Sequence, residues 1–266
     1  MVSIMKKEKT KDWFFIAFRI ISVIIIVICL IFLYIWYKHN TENGDIQEEL
    51  NSYAKVVEDT NENNNEEGNI EVAEEQINVL SVDFASLKEK NPDTVAWVKV
   101  DNTNIDFPIV KAENNNYYLK RNFNRESNGA GWIYADYRDL FDGELSQNTV
   151  IYGHNRRNGT MFSNLTFLLD NNWFSDENNK KFYFSTESGN YIAEIFSVYS
   201  MKENSVRTVT DFLDNEQFET FINSVKSISN YDFGVEVSAE DKVITLCTCG
   251  NNTKYRILVH AKLVKK

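Results

Sequence analysis

Hydrophobic positions fall into three regimes along the chain. Residues 20–36 carry no charge, and with 13–18 ahead of them the apolar stretch reaches about 25 positions, interrupted only by Arg19. At 1.5 Å of rise per helical residue this length spans a bilayer of roughly 30 Å, which predicts one transmembrane helix over residues 13–37. The next regime, 38–80, is polar. Within it Ile46, Leu50, Tyr53 and Val57 recur at spacings of three and four, the pattern of a short amphipathic helix docking onto whatever follows. Beyond Val79 a helical stretch, 83–90, stops before Asn91-Pro92, and short β-rich runs then alternate with turns. Candidate strands are 95–100, 105–109, 131–135, 149–153, 181–184, 191–198, 243–248 and 255–263. Between the last pairs, Phe218, Phe221, Ile222, Val225 and Ile228 mark one face of an inserted helix. Eight strands predict a mostly β fold, a closed or nearly closed barrel with N-terminal helices and that late insertion. No internal repeat is visible.

Composition sharpens this picture. The 266 residues carry a net charge of −11, enough chain for one sizeable core plus appendages. Affinity for nucleic acid comes largely from Lys and Arg neutralising phosphates, so an acidic chain without a basic stripe is set aside as a nucleic-acid binder. Lys6, Lys7, Lys9 and Lys11 precede the apolar span and acidic sequence follows it. The positive-inside rule then makes 1–12 a cytoplasmic N-terminus and puts the rest outside, in a single-pass protein of the cell membrane. A cleaved signal peptide is the alternative. The run is longer than a typical h-region and no small-x-small site follows, which favours an uncleaved anchor. Residues 38–80 hold about a dozen carboxylates and read as an extracellular stalk, disordered over 59–68, leading to a folded domain over 81–266.

Of the three cysteines, Cys29 lies in the apolar span, while Cys247 and Cys249 are two apart on one strand, a spacing that strains a bridge. Cysteines outside the cell are usually bridged or reactive, so this thiol pair calls for an explanation. Cys249 closes an apolar strand and meets the polar turn Asn251-Asn252-Thr253, a place both rigid and open. Alternation puts Thr245, Cys247 and Cys249 on one face, with Cys247 the more simply packed of the two thiols. A cysteine nucleophile acts as its thiolate and needs a proton partner. His39 belongs to the stalk. In a regular hairpin His260 faces about residue 243, roughly 20 Å along the ladder from Cys249, too far for direct exchange. His154 ends the run Thr149-Val150-Ile151-Tyr152-Gly153-His154, where a strand again opens into a loop. Arg256, or Lys254 in its place, supplies a cation across the turn that suits a developing oxyanion. A zinc site from Cys247, Cys249 and a histidine lacks a clear fourth ligand, and no metal or cofactor is expected.

Thr245-Leu246-Cys247-Thr248-Cys249 resembles the TLxTC signature of sortases, with His154 after Tyr152-Gly153 and Arg256 where the family carries its histidine and arginine. The resemblance extends over roughly 83–262. The run Gly131-Trp132-Ile133-Tyr134-Ala135-Asp136-Tyr137-Arg138 and the extra helices look most like class B, although Gly250 stands where an acidic residue is common and Cys247 where serine is. The resemblance implies an eight-stranded sortase-like barrel on the outer face of a Gram-positive cell. It implies a transpeptidase that cleaves a C-terminal sorting signal of the LPxTG or NPxTN kind after its threonine. Cys249 would form the acyl-enzyme, His154 would move the proton and Arg256 would meet the oxyanion. Tyr152, Cys247 and Thr248 would belong to the signal groove. The partners implied are surface proteins bearing that signal, and an amine from a peptidoglycan cross-bridge, a lipid-linked precursor or a pilin. Two other classes stay open: a cysteine hydrolase of wall peptides, and a non-catalytic surface-binding module on a stalk.

Overall fold

The computed structural model describes residues 2–58, 78–206, 208–249 and 254–266, with side chains from Trp13 onward except at Asn40 and Cys249. The segment expected to be disordered, 59–68, and the turn Asn251-Asn252-Thr253 lie outside the described residues, as do the side chains of the four N-terminal lysines. Helix α1 (Val2–Leu50) contains the apolar span and is long and apolar enough, from Trp13, to cross a membrane. The chain divides into a unit ending at Asn43 and a compact unit beginning at Gly44.

The compact unit starts earlier than the expected boundary at residue 81. Ile46 and Leu50 lie in the main hydrophobic core, and Gln47 Nε2 donates to the carbonyls of Asn104 (3.0 Å) and Asp106 (3.2 Å). The amphipathic helix expected through Val57 ends at Leu50, with Ile46 and Leu50 on its docked face. A 3-10 turn over Asn51–Tyr53 leads into strand β1 (Ala54–Glu58), which pairs antiparallel with β2 (Asn78–Val82), Val57 opposite Val79. The β-branched pair Val56-Val57 favours extended backbone, and its partner strand arrives from a distant stretch that helical periodicity does not reveal. Helix α2 (Phe84–Lys90) follows, Asp83 serving as its N-cap through the Ser86 amide at 3.0 Å.

Eight strands then close a barrel: β3 (Thr94–Lys99), β4 (Asp106–Val110), β5 (Tyr134–Ala135), β6 (Asn148–Gly153), β7 (Lys181–Thr186), β8 (Gly189–Lys202), β9 (Lys242–Cys249) and β10 (Tyr255–Lys265). Around the barrel the order is β10-β8-β7-β3-β4-β5-β6-β9, with β4–β5 and β6–β9 parallel. The strand expected over 131–135 keeps only its last two residues. Gly131 has φ +63°, and the Trp132 indole N–H donates to the Pro108 carbonyl (2.9 Å), so this stretch turns before it joins the sheet.

Alternation along β9 separates two cores. Ile244 and Leu246 join the main cluster with Val98, Phe107, Ile151 and Val259. Val243 and Cys247 join a second cluster beneath helix α3 (Asn215–Ser227), which buries Phe218, Ile222 and Val225 against Phe196, Tyr199 and Leu258. The inserted helix therefore covers the outside of the barrel. It ends one residue before Ile228, which is exposed rather than part of the apolar face.

Candidate active site

Register brings three distant residues to one end of the barrel. Strands β6 and β9 run parallel with Gly153 opposite Thr248, so His154 leaves β6 beside the end of β9, where Cys249 is the last residue. Strand β10 returns antiparallel with Arg256 opposite Cys249. A cleft of about 290 Å³ opens here, lined among others by Leu119, Tyr152, His154, Thr208, Thr248 and Arg256. Cys247 reaches the same cleft but is 4% exposed and packs in the second core. The side chain of Cys249 lies outside the described atoms.

His154 is partly buried, and its Nε2 lies 2.9 Å from the Leu119 carbonyl oxygen. A carbonyl only accepts, so Nε2 carries the proton and Nδ1 is left as the acceptor of the neutral ring. Burial lowers the His154 pKa, and the charges of Arg156 and Arg256 push the same way, against the Leu119 bond. Burial and the two guanidinium charges thus favour the neutral imidazole. Gly131 packs directly beneath it. A Cβ there would lie 2.8 Å from the Leu119 oxygen and 2.9 Å from His154 Cδ2.

Arg256 is not held by the cleft alone: its Nη2 is bonded to the Glu203 carboxylate, which also lines the cleft. Glu203 escaped the sequence reading because only the β8–β10 register, with Arg256 opposite Met201, brings residue 203 near. Lys254, the alternative cation, is not among the residues lining the cleft; it lines a neighbouring groove with Lys202, Glu203, Asn204 and Tyr255. His260 pairs with Thr245 rather than with residue 243, so it lies closer to the end of β9 than expected. It is nevertheless sealed: burial lowers its pKa to about 3, and its ring nitrogens contact the Tyr199 hydroxyl (2.9 Å) and Thr245 Oγ1 (2.8 Å). Among the described residues no group of three or more His, Cys, Asp or Glu side chains is arranged to hold a metal.

A family model described as a sortase domain matches residues 98–264, which takes in nearly the whole barrel. The chain belongs to the sortase family. Sortase B of Listeria monocytogenes is 38% identical over 189 residues, covering 69% of this chain and 75% of the relative. The solved Staphylococcus aureus sortase B–substrate complex is 32% identical with a TM-score of 0.64, covering 68% of this chain and 84% of that one. A sortase B structure complexed with triglycine is 33% identical with a TM-score of 0.62, covering 68% and 85%. These relatives place this sortase in class B and make it a transpeptidase of the general sortase kind.

The sequence of this sortase also hides a polar framework behind the cleft. Asp136 is fully buried, and its carboxylate accepts from Arg138 Nε (2.7 Å), Arg138 Nη2 (2.8 Å), Asn115 Nδ2 (3.0 Å) and the Tyr152 hydroxyl (3.0 Å). Burial works to raise its pKa, but these bonds hold it below the usual carboxylate value. The only sequence signal was its place in the run that resembles class B.

Proposed function

We propose that this sortase cleaves a C-terminal sorting signal of the LPxTG or NPxTN kind after its threonine and transfers the new carboxyl end to an amine. Cys249 is the nucleophile. Its thiol proton passes to Nδ1 of His154, and the thiolate attacks the threonine carbonyl. Arg256 donates to the oxyanion of the tetrahedral intermediate. As the carbon–nitrogen bond breaks, protonated His154 gives its proton to the departing amine, leaving a thioester on Cys249. The incoming amine then attacks the thioester, His154 takes its proton, and the thiolate leaves as a new amide forms. Tyr152, Cys247 and Thr248 belong to the groove that receives the signal.

The observation that carries this reading is the strand register, which sets the ends of β6 and β9 side by side with Arg256 across from Cys249. A substrate complex and a triglycine complex of related sortases B support a sorting signal as donor and an oligoglycine amine as acceptor. The lysines before the apolar span favour a cytoplasmic N-terminus with the barrel outside, where both substrates are tethered to the same surface.

Incubating the full chain in detergent with a sorting-signal peptide and triglycine tests the proposal by mass spectrometry. A peptide adduct on Cys249 and a transfer product are expected, both lost in Cys249→Ala, with the rate falling on the order of 10³-fold or more. Hydrolysis without transfer would make the protein a wall-peptide hydrolase instead. No adduct at all, with surface binding intact in Cys249→Ala, would make it a binding module.

A further inference from the structure

The cleft has a wall with no regular structure of its own. Residues 208–210 lie between β8 and α3, and four polar contacts from the β5–β6 side hold them. Arg138 Nη2 donates to the Thr208 carbonyl (3.2 Å), Asn148 Nδ2 to the Val209 carbonyl (2.6 Å) and the Asn148 amide to the Thr210 carbonyl (3.3 Å). The fourth joins the Tyr152 hydroxyl to Thr208 Oγ1 at 2.8 Å. A phenol has one proton, and the Asp136 carboxylate can only accept it. Tyr152 therefore donates to Asp136 and receives the Thr208 hydroxyl proton in turn. Two of the four contacts thus run through residues that Asp136 itself fixes: Arg138, by a bidentate pair, and Tyr152, by its phenol proton.

We propose that Asp136 is a positioning residue, whose buried carboxylate sets the Tyr152–Thr208 wall of the cleft and thereby the affinity for the sorting-signal peptide rather than the rate of the thiol chemistry. This rests on the transpeptidase reading above. The carboxylate does not line the cleft; its two oxygens face donors from Arg138, Asn115 and Tyr152. An amide in its place turns a donor toward those donors, so Asp136→Asn breaks the clamp while conserving shape. The hydrogen-bonded path from Asp136 to the wall runs through Arg138 and Tyr152 and includes neither the His154 imidazole nor Cys249.

The test is steady-state transpeptidation by the full chain in detergent, with alkylation of Cys249 by iodoacetamide as a measure of thiol reactivity. Asp136→Asn is expected to raise KM for the signal peptide tenfold or more, with kcat within threefold and the alkylation rate within twofold of the unmodified protein. Thr208→Val, which removes the hydroxyl at constant shape, is expected to raise KM in the same direction, and Thr208→Ser to restore it. The double variant Asp136→Asn/Thr208→Val is expected to be no worse than the more impaired single, because both cut one clamp. A folded Asp136→Asn protein with unaltered KM overturns the inference, as does one whose kcat and alkylation rate fall together. Should Asp136→Asn not fold, unaltered KM in Thr208→Val overturns it equally. An unmodified protein that forms no adduct sinks the transpeptidase reading and this inference with it. One that turns over while its variants keep KM sinks this inference alone.

Discussion

The imidazole of His154 rests on a backbone that leaves it one orientation. Leu119 supplies the carbonyl that accepts from Nε2, and Gly131 supplies the space beneath the ring. Gly131 is held at φ +63°, in the left-handed region that a side chain resists, and its missing Cβ is what lets the Leu119 carbonyl approach. Gly131→Ala is therefore expected to cost about 1–3 kcal/mol of backbone strain and to push the ring off its acceptor. Since misplacement by about 1 Å costs on the order of 10²-fold, kcat/KM for peptide transfer should fall at least tenfold. An alanine variant that stays folded with unaltered kcat/KM would show that the ring is held elsewhere. At this scale the sequence was informative where chemistry is local: a thiol at a strand end, a histidine after Tyr152-Gly153, a cation past the turn. It was silent on Glu203, whose partner is 53 residues away, and on the role of Asp136, whose Arg138 partner is near in the chain but whose Asn115 and Tyr152 partners are not.

Elements position these residues by register and by cover. Strand β9 separates the two cores, and α3 closes the outer one over Cys247. Helix α3 is short but well specified: Asp214 caps it through the Gln217 amide at 2.8 Å, and the Gln217 side chain returns to the Leu213 amide at 2.8 Å. Phe218, buried against Phe212 and stacked on Phe221, anchors it. Phe218→Ala is expected to cost about 3–5 kcal/mol, read as a lower urea midpoint at unaltered slope. A loss under about 1 kcal/mol would mean that the helix contributes little to the fold. Burial on one face imprints itself on nearby residues, so the pattern located this helix and the eight barrel strands, though not β1 or β2. It failed at Val57 and over 131–133. There a distant strand and a left-handed glycine decide the backbone, and neither leaves a periodic trace.

Across the whole molecule, a second buried carboxylate sets a dependence on pH. Asp139 is sealed beside Asp136; burial first, and the Asp136 charge after it, raise its pKa to about 8 against the Val150 amide bond. The folded state keeps this proton where the unfolded chain has released it. The stability it contributes is full below about pH 4 and is lost as pH rises toward 8. Asp139→Asn should remove that slope, so the melting temperature of the variant should gain on the unmodified protein by about 2–4 °C per kcal/mol between pH 5 and 9. Parallel curves would show that the carboxyl is not protonated in the fold. The apolar span, the segmentation into strands, the inserted helix and the short motif around Cys249 were determined by the sequence itself. Bilayer length and the periods of helix and strand are written in neighbouring residues. Only the tertiary structure decided that His154 emerges beside the end of β9, that His260 is sealed, that Arg256 meets Glu203 and that Asp136 braces Tyr152. Those outcomes depend on register across strands far apart in the chain, and a shift of one residue would turn the strand residues Tyr152, Arg256 and His260 to the opposite face.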